Sequence, residues 1–138
     1  MALILSTLPH YFTAMPLMQF YQYTSGHIHV IFLSTSFSIL YHATAESHDV
    51  IRAIDYCMAF LWFLHELYNA YRFTQRSISK ILISNFLVFL INAYIPYSRS
   101  YRVYHSLWHI LNASKSMYVS SVIAKGITKR EDSGVHMV

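Results

Sequence analysis

Residues 27 to 45 read "HIHVIFLSTSFSILYHATA", and the fold of the chain turns on how that stretch is understood. It mixes branched aliphatics and aromatics with small hydroxyl residues and contains no Asp, Glu, Lys or Arg. The absence extends back to the start: from Met1 to Ala45 no such residue occurs. A soluble fold cannot leave so long a stretch uncharged without exposing large apolar patches. A helix in lipid can. The whole chain agrees, with 138 residues that are 55% hydrophobic, 17% aromatic and only 12% charged. Soluble domains carry about 25% charged residues.

A bilayer core about 30 Å thick needs roughly 20 helical residues per crossing. Outward from residues 27 to 45, four more stretches come close: 2 to 21, 50 to 71, 80 to 96 and 101 to 125. Pro9 and Pro16 are expected to kink the first. No Lys or Arg precedes residues 2 to 21, so they read as a retained span and not a cleaved secretory signal. Sustained period-two alternation is missing, and an open sheet could not satisfy its backbone in lipid. The expected fold is therefore all-α: a multi-pass transmembrane bundle of about five helices. Residues 1–125 form a single membrane domain and 126–138 a polar, disordered cytosolic tail.

With five crossings, Arg72, Arg76, Lys80, Lys125, Lys129 and Arg130 share one side. Arg99, Arg102 and Arg52 face the other, with Glu46 and Asp49. The excess of Lys and Arg places the tail in the cytosol and the N-terminus in the lumen or outside. The net charge of +4 is scattered at segment ends, without a basic stripe, so nucleic acid is not an expected partner. A single cysteine, Cys57, excludes an intrachain disulfide and a cysteine-rich metal site.

Ionisable groups inside spans cost several kcal/mol by insertion scales, roughly 2.5 to 3.5 for Asp at mid-helix. Four of them fall at one depth. His42 closes the second span, Asp55 lies just over one turn into the third, and His105 and His109 open the fifth. At 1.5 Å per residue all four lie within about 5 to 12 Å of the luminal face. Histidines at i and i+4 share a helix face and can chelate one ion. His42 would complete a three-histidine zinc set whose fourth position takes a water that ionises near neutral pH. Asp55 can accept that water's proton. Ser38, one turn before His42, can donate to a developing oxyanion.

Plainer readings stand beside these. An HxxxH spacing alone arises easily by chance, and Asp55 is placed to pair with Arg52 at i, i+3. His10, His27, His29, His48, His65 and His136 have no matched depth and read as structural or exposed. Glu66 lies about 20° around the helix from Asp55, at a depth similar to Lys115. Either the two form an ion pair or each snorkels to the interface.

"SILYH" (Ser38 to His42), "IDY" (Ile54 to Tyr56) and "HSLWH" (His105 to His109) together resemble the three signatures of the CREST superfamily of membrane hydrolases. Alkaline ceramidases, adiponectin and progestin receptors, hemolysin III proteins and myomaker-type proteins belong to it. The resemblance runs from residue 30 to residue 125. It implies Zn2+ on His42, His105 and His109, Asp55 and Ser38 in supporting roles, and hydrolysis of a lipid amide or ester, ceramide above all. It also implies a site on the luminal side of the endoplasmic reticulum or a related membrane. The chain departs from the family in one large respect. The family has seven helices, three of them between the Asp helix and the HxxxH helix, where this chain has one. Losing two helices keeps the parity that returns span five to the site. The lipid chamber would then be completed by a second copy, open sideways to the bilayer, or be inactive. The expected function is zinc-dependent intramembrane hydrolysis of ceramide-like lipids. The alternative is a non-catalytic receptor-like or membrane-remodelling protein with a structural zinc.

Overall fold

Two prolines shape the first twenty residues. In the computed structural model, which describes residues 2–44, 46–74, 78–94 and 100–134, this segment is three short helices. They are α1 (Ala2–Thr7), α2 (Pro9–Phe12) and α3 (Met15–Met18). Pro9 and Pro16 each sit in the first turn of a new helix, where a missing N–H removes no intrahelical bond. The backbone at the breaks stays in the right-handed region, so the segment is an interrupted helix and not a loop. The expected kinks are present.

Four long helices follow: α4 (Tyr21–Ala43), α5 (Asp49–Thr74), α6 (Ile78–Tyr94) and α7 (Tyr101–Asp132). The described residues form an all-helical bundle without strands. α4 packs along α5 and under α1 to α3, and α7 packs against α1 to α3, α5 and α6. α7 is thus the shared neighbour of the bundle.

Among the described residues no helix is long and apolar enough to cross a membrane. α6 is apolar but has 17 residues. α4, α5 and α7 have length to spare, and the histidines, hydroxyls, Glu66 and Lys115 along them dilute their apolar character. Arg76 and Arg99, two of the charges that set the expected orientation, lie outside the described residues.

The C-terminal boundary differs from the sequence expectation. Residues 126 to 132 are not a disordered tail, because α7 continues to Asp132. Val119, Ile123 and Ile127, spaced by four, form a fully buried stripe. Gly126 explains how the end of α7 docks. A Cβ built there would lie 2.5 Å from the Phe73 carbonyl oxygen, so α5 and α7 touch backbone to backbone. Residues 135 to 138 lie outside the described set.

The middle of the bundle is held by a polar network. Glu66 of α5 is fully buried. It accepts from Lys115 Nζ at 2.7 Å, Ser116 Oγ at 2.7 Å and Asn85 Nδ2 at 3.2 Å. Lys115 donates a second bond to Asn85 Oδ1 at 2.9 Å. α5, α6 and α7 are therefore tied at one level, and the Glu66–Lys115 pair forms, where snorkelling was the other expectation.

Candidate metal centre

The last turn of α4 carries Ser38 and His42 on one face, and the first turns of α7 carry His105 and His109. α5 and α6 reverse the chain twice between them, so the end of α4 and the beginning of α7 meet. His42 Nε2 and His109 Nε2 are 3.0 Å apart across 67 positions of sequence. One ring nitrogen from each of His42, His105 and His109 lies within 4.8 Å of the others. The rings stand edge to face, with centroids 5.1, 5.1 and 4.7 Å apart. His42 and His109 are buried and His105 is half-buried. These three side chains are close enough to bind a metal ion.

Proton bookkeeping shows why a cation suits them. His42 Nδ1 lies 3.0 Å from Glu46 Oε1, and an ionised carboxylate only accepts, so the ring's hydrogen sits on Nδ1. The lone pair of His42 Nε2 is thereby aimed at His109. At the far side of His109, Nδ1 is buried with no hydrogen-bond partner among the described residues. A cation between the rings would take both Nε2 lone pairs. Two nitrogens on one tetrahedral zinc stand about 3.3 Å apart, a few tenths from the separation seen. Imidazoles also suit copper, iron and nickel, so the donor set does not by itself choose the ion.

Asp55 and Ser38 complete the surroundings. Arg52 pairs with Asp49 at 2.8 Å, so Asp55 is not consumed by its helix neighbour. Its carboxyl group instead lies beside the Ser38 hydroxyl. Both residues, with His105 and His109, border a cavity of about 740 Å³. Aromatic side chains of α5 and α6, among them Phe60 and Phe86, form much of its wall, and Asn85 and Lys115 lie at its border too. The cavity therefore joins a histidine cluster, a carboxyl group and an apolar space large enough for an acyl chain.

Three neighbours were not picked out by sequence reasoning. Glu46, counted there as a loop charge, holds His42. Tyr101 stacks on His105 at 5.1 Å. His10 is buried, with its centroid 5.5 Å from that of His109. Its Nδ1 donates to the Thr7 carbonyl at 2.9 Å, so Nε2 accepts from Asn112 Nδ2 at 3.2 Å. For Glu46, the i, i+4 spacing from His42 was the available signal. His10 offered none, because the placement of an interrupted helix is not written in its spacing. Of the remaining histidines, His29 and His48 are exposed, and His27 is buried and stacked on His65 at 6.1 Å. His136 lies outside the described residues.

Compared with protein-family models, curated proteins and solved structures, the chain matches none.

Proposed function

We propose that this chain is a multi-pass membrane protein that hydrolyses amide bonds of ceramide-like lipids. The zinc would be held by His42, His105 and His109. The observation that carries the reading is the convergence of three imidazoles beside a largely apolar cavity that also receives Asp55 and Ser38. A bound zinc supplies Lewis acidity and makes water an available nucleophile near neutral pH. Asp55 takes the proton from the attacking water and passes it to the leaving amine. Ser38, which lies beside Asp55, donates its hydroxyl to the substrate carbonyl oxygen as charge develops there. The aromatic walls of α5 and α6 exclude bulk water and take up the acyl chain.

The membrane part of the reading is supported by an inverted distribution of side chains. Among the described residues, thirty large apolar or aromatic side chains are exposed and fifteen hydrophobic ones are buried, beside fifteen buried polar ones. Water would leave that surface as one large apolar patch, whereas lipid accepts it. Several interior hydroxyls satisfy themselves on their own helices, as Thr35 does on the Ile31 carbonyl at 2.7 Å. The proposed home is the endoplasmic reticulum or a related membrane, with the end of α7 on the cytosolic side.

Metal analysis and lipid turnover on the purified full chain test the proposal. About one zinc per chain is expected, with release of fatty acid from labelled ceramide in preference to phospholipid. His109→Ala should abolish both. Full hydrolysis by metal-free wild-type protein would overturn the mechanism, and zinc without turnover of any lipid would leave a structural staple.

A further inference from the structure

Glu46 is the described non-glycine residue with a positive φ, at +60°. A side chain in this left-handed region is uncommon and strained, and such positions persist where the surroundings over-determine them. The fold gives a reason for this one. The chain leaves α4 just after His42, and the Glu46 N–H closes back on the Tyr41 carbonyl at 3.1 Å. That turn brings the Glu46 side chain back beside the last turn of α4, where Oε1 meets His42 Nδ1 at 3.0 Å. Tyr101, the first residue of α7, lies with its ring flat on His105 at an angle of 26° and its hydroxyl within electrostatic reach of the same carboxylate. One carboxylate therefore touches a ligand on α4 directly and stands near the tyrosine stacked on a ligand of α7.

We propose that Glu46 is a positioning residue for the metal centre: it fixes the Nδ1–H tautomer of His42. The inference rests on the zinc reading above. Its chemistry is that of an outer carboxylate on a ligating imidazole. Holding Nδ1–H leaves Nε2 as the donor atom and makes it more basic. His42 has this support while the outer nitrogen of His109 has none. Loss of Glu46 would accordingly leave the centre without its one carboxylate-held imidazole among the three.

Glu46→Gly separates this role from a merely structural one, because glycine suits a φ of +60° better than glutamate does. If Glu46 only shapes the turn, the variant should bind zinc as wild type does. The expectation here is different. The metal-free full chain should melt at the wild-type temperature or higher, while zinc affinity, read by competition with a chromophoric chelator, falls about 10- to 100-fold. Glu46→Gln, which keeps an acceptor and loses the charge, should lie between the two. Tyr101→Phe should weaken binding less than Glu46→Gly does. With Co2+ in place of zinc, the visible band of Glu46→Gly should shift relative to wild type. Zinc affinity of Glu46→Gly within twofold of wild type would overturn the inference and leave the zinc centre standing. Failure of wild-type protein to bind zinc would instead remove the centre, and this role with it.

Discussion

Two polar clusters sit inside this bundle, and they are built on opposite rules. Around Glu66, acceptors and donors are matched: two carboxylate oxygens take Lys115, Ser116 and Asn85, and Lys115 spends a second bond on Asn85. Around His42 the matching stops short. His42 Nε2 and His109 Nε2 share one hydrogen bond at 3.0 Å that a cation could replace, and His109 Nδ1 faces no partner among the described residues. A closed network has nothing left to offer a ligand and holds helices in register. An open one keeps donor atoms in reserve for something that is not protein. The difference makes one cluster a fastener and fits the other to the metal site proposed above.

Substitutions at three places press on that contrast. The largest effect is expected at the open end. Asp55→Asn should lower lipid turnover by about 10²- to 10⁴-fold, as loss of a general base does, while zinc content stays at the wild-type level. Turnover and metal content measured on one preparation check this, and unchanged turnover would take Asp55 out of the chemistry. The next effect belongs to the closed end. Glu66→Met or Lys115→Met alone should cost about 3 to 5 kcal/mol, because each strands a buried partner. The double replacement Glu66→Met, Lys115→Met should recover much of that loss. Unfolding in detergent across the four proteins reads it, and additive single effects would mean the network is not closed. The smallest effect is expected at Gly126. An alanine there must push the Phe73 carbonyl away, at a cost of order 1 to 3 kcal/mol with zinc affinity unchanged.

Much of this contrast is written in the sequence because it depends on depth and parity, which the chain order encodes. His42, His105 and His109 converge because two helices return the chain to one end, and counting residues from span ends is enough to find that. Glu66 and Lys115 meet for the same reason. The C-terminal end was misjudged because "GITKRED" looks polar residue by residue. Its information lies in spacing instead: Ile127 extends the stripe of Val119 and Ile123, and Gly126 admits the backbone of α5. Glu46 was hidden by an assumption that charge near a span end belongs to water. Its turn geometry, which no propensity rule favours for glutamate, brings it back to His42. His10 was out of reach because a proline-broken segment sets no phase for the helices beside it.

α6 has a single fully covered side chain, Ile81, among its described residues. What attaches it is directional: the Trp108 indole N–H on the Val88 carbonyl at 3.1 Å, and Asn85 among the charges of its neighbours. Rivets of this kind set register without supplying the cohesion of a packed seam. Since Phe86 and Phe89 border the chamber, an acyl chain of the proposed substrate would become the missing packing partner of that wall. Occupancy and the tightness of α6 are then one equilibrium seen from two sides, and a guest that fits steadies its own container by mass action.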